Sequence, residues 1–289
     1  MALSCFSVRL AMVLAMRLPR AGPGFGARIV RSDAEAVSHD VGLRSRNSAP
    51  ARHTAAMQIP QPVQEGRFLR RYKRFLADVE LPGGEVITAH CPNTGAMLGC
   101  LEEGARAILR DSQNPERKLR HTLQTLEVDG TWVNVDTSLP NGLVAGGVEA
   151  GQIEELAGYE SLRREVKAGK SRIDLLLEGE AGRCWVEVKS TTLVQDGIAR
   201  FPDAVTVRGQ KHLEELAQLV QGGDRAVIFF SVARDDADCF APADAIDPDY
   251  GALLRKVVGL GVEALAYTTR VEPDSLEIAR SLPITLGTG

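Results

Sequence analysis

The sequence predicts a mixed α/β chain in which a small all-β unit precedes a larger unit that alternates helices and strands. Three observations lead there. Residues 67–136 hold short alternating apolar runs broken by turn clusters, with no helical periodicity. Beyond Pro140 helical and strand patterns alternate. Within that second part, SRIDLLLEGEAGRCWVEVKS (171–190) reads as two short apolar strands joined by a polar, Gly-flanked link.

In the first unit the expected strands are 67–81, 85–91, 106–111, 119–128 and 131–136, punctuated by Pro82-Gly83-Gly84, Pro92-Asn93-Thr94-Gly95 and Asp129-Gly130. Five strands in about 70 residues suit a small closed or partly closed barrel of the OB type. The opening strand interleaves Arg67, Arg70, Arg71, Lys73 and Arg74 with Phe68, Tyr72 and Phe75. Cations that track a backbone beside rings that stack bases suit single-stranded nucleic acid. A solvated edge strand guarded by charge, with its rings in the core, explains the same pattern. AHCPNTGAM (89–97) reads as a turn with no role of its own.

In the second unit, 141–156 is expected to be helical and 159–166 a strand, followed by the hairpin strands 173–177 and 184–190. GQKHLEELAQLVQ (209–221) is an amphipathic helix with Leu213, Leu216, Ala217 and Val220 on one face. RAVIFFSV (225–232) reads as a buried strand, 247–260 as a helix and 262–269 as a further strand. Arg208, Lys211 and His212 crowd the start of the 209–221 helix, where the macrodipole disfavours cations. An anion held there would explain them. So would solvation, or pairing with Asp203 and Glu214.

The chemistry concentrates in the hairpin. Strand side chains alternate faces, so Glu187 and Lys189 share one side. If Leu177 faces Cys184, Asp174 falls opposite Glu187. Two carboxylates with an ammonium suit a hard divalent cation, Mg²⁺ or Mn²⁺, with waters and phosphate completing its shell. A lysine there can orient water or neutralise charge on a phosphate. The reading is metal-assisted phosphodiester cleavage; the competing one is a structural carboxylate–lysine pair on a solvated face.

Composition sets limits. The chain has 289 residues, and its first 56 hold eight Arg, no Lys and three acids. They read as a disordered or misannotated extension, with Met57 a sensible start; the apolar run 10–16 and the Arg-rich texture are weaker signs of a signal or transit segment. Residues 57–289 then carry 26 Lys+Arg against 35 Asp+Glu, a net charge of −9. That excludes a generally cationic nucleic-acid binder, so phosphate contacts must be local. No run approaches the ~20 apolar residues that span a bilayer. Five scattered cysteines without a CxxC point to reduced thiols and a cytoplasmic setting.

RFLRRYKRF, AHCPNTGAM, SRIDLLLE, CWVEVKS, FPDAVTVRGQKHLEEL and FAPADAIDPDY, collinear over 57–284, resemble the sugar fermentation stimulation protein A family, within the PD-(D/E)xK nuclease-like superfamily. The resemblance implies an OB-like barrel (57–138), a nuclease-like mixed α/β domain (139–284) and a short tail (285–289). It also implies DNA as partner and a link to sugar (maltose) utilisation. By the nuclease pattern Asp174 and Glu187 become metal ligands and Lys189 the catalytic lysine. Two departures stand out. Pro202-Asp203 follows Glu187-Val188-Lys189 and so is not the pattern's Pro-Asp pair, and the first helix offers no clear carboxylate, leaving Glu165 as a third ligand candidate. The expected function is DNA binding with a divalent-metal nuclease-type site; the alternative is a non-catalytic DNA-binding regulator on the same scaffold.

Overall fold

The computed structural model describes residues 56–169 and 171–287. The expected extension lies outside them except for Ala56, and so do the last two residues of the tail.

The barrel is built from β2 (Val63–Tyr72), β3 (Leu76–Glu80), β4 (Val86–His90), β5 (Arg106–Asp111), β6 (His121–Val128) and β7 (Thr131–Asn134). These run β4-β3-β2-β5-β6-β7, and β4 also meets β6 in parallel through His90 and Thr122. That bridge closes five strands on themselves, as an OB barrel requires. Phe68, Leu109, Leu123, Leu126 and Val133 fill the interior. The strand expected over 67–81 is in fact two strands. The chain reverses between Tyr72 and Leu76, with Lys73 and Arg74 at φ of 49° and 65°. Left-handed residues make such a tight reversal possible, and here neither is glycine. Charge alternation runs on through the turn, so the sequence does not mark it.

The first described strand, β1 (Met57–Gln58), belongs to the other unit, where it pairs with β16 (Ser275–Ser281). Ile59, 1% exposed, goes with it into that core. The remaining large-sheet strands are β8 (Ser161–Ala168), β9 (Ser171–Gly179), β10 (Gly182–Thr191), β13 (Arg225–Val232) and β15 (Glu263–Val271). The sheet order is β1-β16-β15-β13-β10-β9-β8, with β10, β13 and β15 parallel and the outer pairs antiparallel. A small second sheet holds β11 (Leu193–Gln195), β12 (Ile198–Phe201) and β14 (Cys239–Pro242).

One sheet face, with Val186, Val188 and Phe229, packs on α1 (Pro140–Glu149). The other, with Trp185, Ile228 and Phe230, packs on α2 (Val207–Gln221) and α3 (Pro248–Gly259). The helix expected over 141–156 stops at Glu149, and a single 3₁₀ turn follows at Glu154–Leu156. Gly147 lets α1 lie against β16, since a Cβ there would come 3.0 Å from Ile278 Cγ1. The fold is thus an OB barrel followed by a mixed α/β domain. No helix among the described residues is long and apolar enough to cross a membrane.

Candidate active site

The hairpin register places the carboxylates. Cys184 faces Leu177, Trp185 faces Leu176 and Val186 faces Leu175, so the next step sets Glu187 against Asp174. There the ladder opens. Asp174 Oδ2 accepts the Val188 N–H at 2.8 Å and Oδ1 accepts Asn141 Nδ2 at 2.6 Å. Asn141 enters at the first turn of α1, the position where the sequence offered no carboxylate. Glu187 is 2% exposed, and its Oε1 receives both Lys189 Nζ at 2.6 Å and His212 Nδ1. Its Oε2 is buried without a partner among the described residues. His212 Nε2 accepts from Arg208 Nε at 3.4 Å, while its Nδ1 lies 3.2 Å from Lys189 Nζ as well as against Glu187.

Burial sets the electrostatics. It pushes the Asp174 carboxyl up to about 6, helped by the charge on Glu187 and opposed by the Val188 amide, Lys189 and Asn141. Burial would raise Glu187 too, but the His212 hydrogen bond and the Lys189 charge outweigh it and hold that carboxyl below the ordinary range. One carboxylate is firmly ionised; its neighbour is ready to gain or lose a proton.

These groups form the floor of a cavity of about 620 Å³ between the barrel and the α/β domain. One wall is the loop 93–96, the segment that read as a turn without a role. Arg71 builds it: its guanidinium donates to the Asn93, Gly95 and Ala96 carbonyls and to Arg74 O. Asp203 ties the loop across to the α/β domain, accepting the Met97 N–H at 2.7 Å. Only glycine fits at residue 95, where a Cβ would come 2.7 Å from both Asp203 carboxylate oxygens. The opposite wall is the start of α2. Thr206 caps it by accepting from Gly209 N, and buried Asp247 anchors that cap through the Thr206 N–H at 2.8 Å while also capping α3.

The expected cationic groups therefore separate. Arg74, in the turn after β2, and Arg208, in the first turn of α2, both line the cavity. Lys211 is exposed and does not line it, and His212 turns inward to Glu187, not to an external anion. Arg71 lines the cavity, but its donors are spent on loop carbonyls. Arg70 pairs with Asp78 at 2.8 Å, Arg67 borders a different depression, and exposed Lys73 does not line the site. The five cations of the first strand are not one patch, because strand alternation and the turn after Tyr72 send them in different directions.

Glu165 is not brought into the carboxylate pair. A φ of 55° takes it out of regular pairing between Arg164–Leu175 and Val166–Ile173, and the Asn141 amide stands between it and Asp174. Among the described residues no three His, Cys, Asp or Glu side chains converge as a metal site. Two carboxylates, one with a spare buried oxygen, still fit a hard cation whose other ligands are waters and phosphate oxygens. Nothing in the sequence pattern marks Asn141, Asp203 or Asp247 as site-building residues. Their short polar side chains carry no pattern, although Asp203 and Asp247 fall in quoted family segments.

Comparison with known proteins follows the same division. A model of the SfsA N-terminal OB domain matches residues 69–135, and one of the sugar fermentation stimulation protein RE domain matches residues 138–275. Sugar fermentation stimulation protein homologs of Geobacter sulfurreducens and Geobacter metallireducens are 55% and 54% identical over 232 residues, 80% of this chain and 100% of each relative. The structure of Pyrococcus furiosus SfsA in complex with Ca²⁺ aligns with a TM-score of 0.72 at 30% identity, covering 79% of this chain and 98% of that one. The chain belongs to the sugar fermentation stimulation protein (SfsA) family.

Proposed function

We propose that the chain is a divalent-metal-dependent phosphodiesterase acting on DNA, with Asp174 and Glu187 as metal ligands and Lys189 as the catalytic lysine. The observation that carries this reading is the largely buried Asp174–Glu187 pair lining the cavity, with Glu187 Oε2 unpartnered among the described residues and Lys189 on the other oxygen. The solved relative in complex with Ca²⁺ supports it, since Ca²⁺ is a hard, oxygen-seeking cation like Mg²⁺.

Asp174 and Glu187 would hold the cation, which would supply charge neutralisation at the phosphate and acidify a bound water. The chain's own groups do the rest. Asn141 and the Val188 amide fix Asp174, and His212 fixes Glu187 from the opposite side. Lys189, 13% exposed at its side chain, presents its ammonium to the cavity, where it stabilises charge developing on phosphate oxygens. Arg74 and Arg208 at the rim hold neighbouring phosphates.

The test is incubation of the full chain with plasmid and single-stranded DNA in Mg²⁺ or Mn²⁺. Cleavage abolished by chelator and by Asp174→Ala supports the proposal. Cleavage equal in Asp174→Ala contradicts it. Binding without cleavage in every condition supports a DNA-binding regulator on the same scaffold.

A further inference from the structure

The cavity's depth and the placement of its two rim arginines specify the form of nucleic acid that fits. Glu187 is 2% exposed, whereas Val205 at the mouth is 68% exposed and Arg74 and Arg208, which line the same cavity, are exposed. The reacting groups therefore sit below the rim. A volume of about 620 Å³ falls inside the ~300–1,000 Å³ of pockets that enclose one small molecule. A space of that size suits one nucleotide, whereas a stacked duplex brings neighbouring nucleotides and a complementary strand with it.

Both walls are fixed. The barrel loop is held by Arg71 and by Asp203, and the start of α2 by Thr206 and Asp247. Among the described residues the Arg74 guanidinium has no partner, and Arg208 contacts only His212, through Nε. Two arginines from two domains, both with free donors, thus line the same cavity as the Asp174 and Glu187 carboxylates.

We propose that this site takes an unpaired single nucleic-acid strand, one nucleotide entering the cavity while Arg74 and Arg208 grip the phosphates on either side; duplex is excluded until it frays or carries a single-stranded end. The inference rests on the phosphodiesterase reading for the identity of the site, and its test separates the two.

Fluorescence anisotropy of the full chain, in chelator, compares a labelled 20-nucleotide deoxyoligonucleotide with its blunt duplex. The single strand binds at least tenfold more tightly. Arg74→Ala with Arg208→Ala weakens single-strand binding about tenfold and lowers its log–log salt slope by about 1.4, at ~0.7 per lost contact. The Arg74→Lys, Arg208→Lys pair keeps most of that slope. Thermal melts confirm that these exposed substitutions leave the fold intact. Equal or tighter duplex binding overturns the proposal, as does an unchanged slope in the double alanine variant. Single-strand preference without cleavage in Mn²⁺ upholds this proposal and sinks the phosphodiesterase reading alone.

Discussion

Lys189 Nζ lies 2.6 Å from Glu187 Oε1, two residues earlier on the same strand. The pair is buried, so each charge depends on the other and on His212 for its solvation. Removing the ammonium leaves Glu187 with imidazole as its sole side-chain partner among the described residues. On the proposed phosphodiesterase reading, Lys189→Ala should lower DNA cleavage by about a hundredfold or more, by analogy with the loss of one preorganised charge at a developing oxyanion. DNA affinity changes by less than about tenfold, since one phosphate contact is a small part of the electrostatic term. Single-turnover cleavage and anisotropy measured on one preparation check both numbers. Undiminished cleavage points to another site.

Asp174 gives the site a pH signature. Its folded-state carboxyl, raised to about 6, holds a proton more tightly than in the unfolded chain. The stability this contributes is complete below the unfolded value near 4 and is lost as pH rises through about 6. Between pH 5 and 7.5, in chelator, the wild type should lose about 1.4 kcal/mol relative to Asp174→Asn, one unit of the remaining shift. Denaturant melts of both proteins at the two pH values measure it. A gap that does not widen contradicts the burial of this carboxyl.

The loop wall predicts stability effects at residues that line the cavity but carry no chemistry themselves. Gly95→Ala forces a Cβ to within 2.7 Å of an Asp203 carboxylate that the Met97 amide prevents from swinging away. The cost should be ~1–3 kcal/mol, the range for overpacking. Arg71→Ala strands the Asn93 and Gly95 carbonyls and should cost ~2 kcal/mol or more, because hydrogen bonds to a charged donor are the stronger kind. Urea midpoints with unchanged m-values give both costs. An Arg71→Ala protein as stable as wild type, but defective in DNA binding, would return Arg71 to the role its charge first suggested.

Arg71 also shows where sequence reasoning stops. A guanidinium in a basic run reads as a phosphate contact because its charge is visible and its carbonyl partners, 22 and 24 residues later, are not. The hairpin was legible for the opposite reason. Its strands are joined by a short polar link, both are apolar, and period-two alternation then fixes which side Asp174, Glu187 and Lys189 share. The cavity walls join groups remote in sequence: Met97 to Asp203 across 106 residues and Asn141 to Asp174 across 33. No local pattern encodes such pairs. Turn chemistry marked the breaks after residues 81, 91 and 128, but the barrel sheet has six strands where five were expected, because its first reversal at Lys73 and Arg74 was hidden, neither residue being a usual turn former.

Calorimetric titration with Mn²⁺, carried out on the full chain and on Asp174→Ala, decides whether the two carboxylates hold a cation. The wild type should bind Mn²⁺ at a site that Asp174→Ala weakens at least tenfold, because the two carboxylates supply the cation's protein oxygens together. Equal Mn²⁺ affinity in the two proteins would contradict it.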